Sequence, residues 1–271
     1  MRHLCLILAS LLLAACAGKG GLQIDREHPS RNQDSRVQYV IIHYTSTDLE
    51  RSMKILTQGD VSAHYLIGAN PPTIYQLVDE NRRAWHAGQS EWQGRTWLNS
   101  TSIGIELVNP GYIDGPNGRT WGAYPQGQID ALILLLKDIV KRQGIAPEHI
   151  LGHSDIAPQR KVDPGPAFPW KRLADAGLIP WPQQADVQRH LADLNGQLPA
   201  PGWFQQQLAR QGYAVPLDGV LNQATRNVIA AFQMRYRPQR FDGEPDLETA
   251  ALLLAVPTSL PAPAVQTGSS M

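Results

Sequence analysis

Apolar positions along the chain fall into three successive patterns. An unbroken apolar run, LCLILASLLL, opens it. Short stretches rich in β-branched and aromatic residues follow. VQYVIIHYT predicts a buried strand that ends at His43. AHYLIG and TIYQLVD predict two more, with the turn signal Asn70-Pro71-Pro72 between them. SIGIELVN alternates, placing Ile103, Ile105 and Leu107 on one face and Gly104, Glu106 and Val108 on the other. QIDALILLLKDIVKRQG then takes helical spacing, apolar enough to be well buried, with Lys141 and Arg142 in its last turn and Gly144 as its stop. Strands on both sides of a helix predict an α/β domain over residues 36–182.

Residues 183–256 read differently. WFQQQLARQGY, LNQATRNVIAAFQMRYRP and DLETAALLLA predict three short helices, with Asn222 and Asp246 as N-caps of the second and third. Residues 257–271, rich in Ser, Thr and Pro, predict a disordered tail.

Composition narrows the class. Lys+Arg and Asp+Glu both number 24, so no basic field points to nucleic acid. The opening apolar run is short for a spanning helix and follows Met1, Arg2 and His3, which predicts a signal peptide over residues 1–15. LAAC, residues 13–16, resembles the lipobox of bacterial lipoproteins. That resemblance implies cleavage before Cys16 and lipidation of its thiol. With Ala17 next, it also implies outer-membrane attachment facing the periplasm. Residues 16–35 then form the lipidated Cys and a flexible polar linker. The other Cys, Cys5, leaves with the signal, so the mature chain has no disulfide.

GHSDIAPQRKVDPG, residues 152–165, is polar and interrupted by Pro158 and Pro164, and reads as a loop. Its His153 and Asp163 are of metal-ligand type. A hydrolytic zinc site needs three protein ligands and one open position. His43, at a strand end, is the candidate third. Spacing alone leaves open that His43 is simply a core histidine.

VIIHYT, SIGIELVN and GHSDIAPQRKVDPGPAFPW resemble the zinc N-acetylmuramoyl-L-alanine amidases of the amidase type 2 family, which share their fold with peptidoglycan recognition proteins. The resemblance spans residues 36–182. It implies a central mixed β-sheet flanked by helices, and one zinc ion per chain on His43, His153 and Asp163. It also places Glu106 as the general acid/base and Lys161 as stabiliser of the oxyanion. SAHYLIGAN resembles the SxHxxGxAxD signature of zinc D,D-peptidases, but its Gly falls one residue late and Asn70 stands where an Asp ligand is required. His64 is therefore read as a groove residue. His86 and Asn109 are further candidates for substrate contact. His28, His149 and His190 have no motif around them.

The segment from Gly212 to Leu253 resembles a peptidoglycan-binding domain. Asp218-Gly219, Thr225, Phe232-Gln233, Asp242-Gly243 and Thr249 fit its repeating pattern. Together the resemblances imply hydrolysis of the amide between N-acetylmuramic acid and L-alanine, with peptidoglycan and muropeptides as partners. A peptidoglycan peptidase and a recognition protein without catalysis are the alternatives.

Overall fold

A computed structural model describes residues 22, 24–116 and 118–258. The expected signal peptide and Cys16 lie outside the described residues, as do residues 259–271 of the expected tail. Among the described residues, those from Ser35 onward form the larger of two compact units.

The larger unit begins with β1 (Tyr39–Tyr44), followed by α1 (Leu49–Gln58), β2 (Tyr65–Ile67) and β3 (Ile74–Gln76). Next come α2 (Leu98–Thr101), β4 (Ser102–Leu107) and the hairpin β5 (Tyr112–Gly115) and β6 (Gly118–Trp121). The long α3 (Gln126–Gln143) leads to β7 (Ile150–Gly152), the single turn α4 (His153–Ile156) and α5 (Trp170–Asp175). Four helices close the chain: α6 (Gln184–Asp193), α7 (Pro201–Gln211), α8 (Gln223–Tyr236) and α9 (Leu247–Ala255).

The central sheet has the order β3-β2-β4-β1-β7 and is mixed: only β3 runs antiparallel to its neighbour. Strand alternation sorts its residues into two cores. Val40, Ile42, Ile103 and Ile105 pack with Ile129, Leu132 and Leu136 of α3. Tyr39 and Ile41 belong to the other face, where the core includes Phe204, Leu208, Val228 and Phe232 of the C-terminal helices. The helical segment thus shares a hydrophobic core with the sheet.

The predicted strands, α3 and the three C-terminal helices are present, with Gly144 in the left-handed conformation after α3 and Asn222 and Asp246 capping α8 and α9. Several elements were not anticipated. Helix α1 buries Leu56 beside Leu49 and Met53, and Asp48 caps it by accepting from the Arg51 N–H. Strand β7 has three residues, too few for a period to be read. The β5–β6 hairpin is largely exposed, so no apolar alternation marks it. Helix α6 adds a fourth helix ahead of the predicted three.

The C-terminal motif repeats as a hydrogen-bond pattern. Gln205 accepts from the Gly219 N–H and donates to Thr225 Oγ1. Gln233 accepts from the Gly243 N–H and donates to Thr249 Oγ1. Both glutamines are fully buried, so the pattern builds the fold. Gln233→Leu strands the Gly243 N–H and takes a donor from Thr249 Oγ1 and from the Glu244 carbonyl that Gln233 also serves. It should lower unfolding free energy by about 3 kcal/mol, read as a drop in urea midpoint.

Candidate metal centre

His43 and Glu106 are register partners on the adjacent parallel strands β1 and β4. Their side chains therefore project from the same sheet face. His153 opens α4 directly after β7, the other neighbour of β1. The Ser154 N–H donates to the Asp163 carbonyl, which draws the far end of the loop back to its start. Three sequence-distant residues are thereby brought together. His43 Nδ1 lies 3.0 Å from His153 Nδ1, and each nitrogen lies 3.1 Å from Asp163 Oδ2. All three side chains are buried.

The segment expected as a loop instead opens with the helical turn α4 and is buried from His153 to Ala157. Its polar groups find partners inside. Asp155 is the clearest case, accepting from the Gly152 N–H, Tyr213 and Arg235.

Hydrogen bonds assign the ring protons. The Ser102 hydroxyl donates to the Leu98 carbonyl, so its oxygen accepts from His86 Nε2, 3.2 Å away. His86 Nδ1 then accepts from His43 Nε2 at 3.1 Å. His43 Nδ1 is left with a lone pair facing the triangle. His153 Nε2 lies 3.2 Å from the Ala87 carbonyl, which can only accept, so His153 Nδ1 is bare as well. Arg160 donates to the same carbonyl, which accounts for its 3.2 Å approach to His153 Nε2. Burial, then the neighbouring His153, pushes His43 down to about 4, so it is neutral at pH 7. Two bare nitrogens and a carboxylate oxygen thus converge on one point. A cation relieves that convergence, and a metal ion fits the donor set.

Glu106 stands in the same cavity of about 360 Å³, which Lys161, Arg160, Trp85 and Tyr112 also line. Its Oε2 is buried and has no hydrogen-bond partner among the described residues. Burial, then the Asp163 charge, raises its pKa to about 8, while Lys161 opposes the rise. A carboxyl group that titrates near neutral pH is suited to moving protons, and a metal cation beside it would draw it toward the carboxylate that acts as base.

Two of the candidates for substrate contact have their polar atoms engaged by main chain. His64 accepts from the Gly104 N–H at Nδ1 and donates to the Arg82 carbonyl from Nε2. With both nitrogens taken by main chain, and outside the cavity lining, it holds β4 in place and is free neither for substrate nor for a metal. Asn109 accepts from the Gly111 N–H and donates to the Gly122 and Ala123 carbonyls, so it fastens the base of the β5–β6 hairpin. His86 does line the cavity, but its nitrogens are committed to His43 and Ser102. Gly104 makes room for it, since a Cβ there would lie 2.4 Å from the His86 ring. Arg160 escaped the sequence reading. It donates to the Gln89 and Ala87 carbonyls and so pins the stretch that follows His86 to the metal loop.

Fold and site define a candidate metallohydrolase. The model of the N-acetylmuramoyl-L-alanine amidase family matches residues 33–166, and that of a peptidoglycan binding domain matches residues 197–253. N-acetylmuramoyl-L-alanine amidase AmiD of Escherichia coli (strain K12) is 43% identical over 268 residues, covering 94% of this chain and 97% of that protein. Among solved structures, the complex of E. coli AmiD with the substrate anhydro-N-acetylmuramic acid-L-Ala-D-gamma-Glu-L-Lys is similar at TM-score 0.81 and 43% identity. The likeness covers 88% of this chain and 95% of that one. AmpDh3 from Pseudomonas aeruginosa, in complex with anhydromuramic pentapeptide, is similar at TM-score 0.81 and 39% identity, covering 87% and 98%. The chain belongs to the N-acetylmuramoyl-L-alanine amidase family.

Ser102→Ala removes the acceptor that orients His86. Affinity for a divalent metal, titrated as zinc against a chelating dye, should fall roughly 10–100-fold; unchanged affinity would contradict the proton assignment.

Proposed function

We propose that the chain is a zinc-dependent, lipid-anchored amidase of the periplasm. It hydrolyses the amide between the lactyl group of N-acetylmuramic acid and the L-alanine of the stem peptide. The buried His43, His153 and Asp163 triangle, with the unpartnered Glu106 oxygen in the same cavity, carries this reading. A protein that only recognises peptidoglycan has no need of that combination. The peptidase alternative loses its extra ligand, because both nitrogens of His64 are bonded to main chain.

Zinc is the ion the donor set favours. Ligand atoms about 2.0–2.1 Å from one tetrahedral zinc stand roughly 3.3 Å apart, close to the 3.0 and 3.1 Å separations here. Such an ion would supply a Lewis acid that makes water acidic near neutral pH. Glu106 takes a proton from the attacking water and passes it to the departing amine of L-alanine. Lys161, on the cavity wall, offers an ammonium to the oxygen that becomes negative as the carbonyl is attacked. His86 and Ser102 keep the His43 lone pair aimed inward.

Anchoring and compartment rest on the lipobox resemblance at residues 13–16 and on a polymer substrate found in the same compartment. Cys16→Ser should move the protein from the membrane fraction to the soluble one; retention on membranes would remove Cys16 as the anchor.

The activity is tested by incubating the protein with a muropeptide, with and without a chelator, and weighing the products. The expected products are a free stem peptide beginning at L-alanine and a peptide-free sugar, lost on chelation and restored by zinc. A shortened stem still joined to sugar would overturn the reading. Glu106→Gln should keep stoichiometric zinc and lose at least about 100-fold in turnover; near-normal turnover would remove Glu106 as the acid/base.

A further inference from the structure

The helical segment after residue 182 invites reading as a tether that keeps the enzyme near polymeric substrate. Its contacts suggest more. Asp155, two residues after the metal-site His153, is almost fully buried, and both its oxygens are occupied. Oδ2 accepts from the Gly152 N–H at 2.8 Å and from Arg235 at 2.8 Å. Oδ1 accepts from the Tyr213 hydroxyl at 2.8 Å. Arg235 sits on α8, and Tyr213 follows α7, so two of the three donors come from the helical segment.

Arg235 does not stop at Asp155. It also donates to the Ile150 carbonyl at the start of β7, at 3.0 Å, and its guanidinium lies 4.1 Å above the Trp170 ring. It therefore grips both ends of the β7–α4 connection that delivers His153. The Tyr213 ring packs edge-on against Trp92, and the Gln93 N–H donates to the Gly212 carbonyl. At the other end of the metal loop, Gln159 donates to the Ala224 carbonyl and accepts from Asn227. A buried carboxylate that loses its cationic partner is left desolvated and uncompensated, and must move. That movement shifts the turn on which His153 stands, and through the Ser154-to-Asp163 bond it shifts the second ligand too.

We infer that the C-terminal helical segment is a structural part of the metal centre: Arg235 and Tyr213 are positioning residues that hold Asp155, and through it His153 and Asp163. The inference rests on the metal-amidase reading of the site. It separates from a pure tether by substrate size. A tether improves encounter with polymer and leaves hydrolysis of a small soluble muropeptide untouched. A clamp on the ligands acts on both substrates and on metal binding itself.

The test uses the full chain. Wild type, Tyr213→Phe, Arg235→Met and the pair Asp155→Asn/Arg235→Met are stripped of metal, checked for folding by circular dichroism and titrated with zinc. Each is then assayed on a soluble muropeptide. Arg235→Met should bind zinc at least tenfold more weakly and lose kcat by a similar factor at saturating zinc, with KM within twofold of wild type. Replacing Asp155 by Asn in that background, which removes the uncompensated charge, should recover part of the zinc affinity. Tyr213→Phe, which keeps the ring and loses one hydrogen bond, should weaken zinc binding about threefold, and it decides alone if Arg235→Met does not fold. Folded variants that match wild type in zinc affinity and in soluble-muropeptide turnover, losing activity only on intact peptidoglycan, would overturn the inference. A wild type that neither binds zinc nor hydrolyses the muropeptide would instead remove the amidase reading beneath it.

Discussion

Two imidazole lone pairs and a carboxylate oxygen, on three buried side chains, meet within 3.1 Å of one another. Everything else around the site serves that convergence. It is electrostatically costly unless a cation takes it up, so the surrounding structure must hold each donor against its neighbours. The parallel pair β1 and β4 fixes His43 opposite Glu106. The chain from the Leu98 carbonyl through Ser102 and His86 fixes which His43 nitrogen is bare. Ala87, with Arg160 drawn to the same carbonyl, does the same for His153. Neutral imidazoles and an ionised carboxylate are the forms that ligate a metal, and burial already favours the neutral form of His43.

Much of this was legible in the sequence, for identifiable reasons. Strand alternation put Glu106 and Gly104 on one face, and the structure has His43 and His86 there with them. His43, His153 and Asp163 stand in motifs specific enough to be named before any fold was known. The differences share a cause. GHSDI reads as part of a loop because the sequence does not show which cation meets Asp155; its partner, Arg235, is eighty positions away. His64 and Asn109 read as substrate residues because a polar side chain beside a catalytic strand has two uses. The use chosen here, satisfying main-chain groups, depends on the tertiary path of residues 82, 104, 122 and 123. Short or exposed elements such as β7 and the β5–β6 hairpin carry too little apolar pattern to be read.

The C-terminal helices illustrate how one motif can serve two ends. Their repeated Gln–Gly–Thr hydrogen bonds, around Gln205 and Gln233, are internal and build a rigid unit. Rigidity is what a support needs. The unit shares its core with the sheet and reaches the back of the metal loop through Arg235 and Tyr213. Binding of polymer and support of the catalytic loop are compatible, since they use different faces: the clamp is buried, while a polymer can reach only exposed residues.

The claim on which the account stands is that the triangle takes up one metal ion. The direct measurement is a calorimetric titration of metal-free protein with zinc, repeated for Asp163→Ala. The wild type should show one saturable site per chain and a rise in melting temperature on loading, and the variant should lose both. No saturable uptake by the wild type, or undiminished uptake after Asp163 is replaced, would contradict that claim.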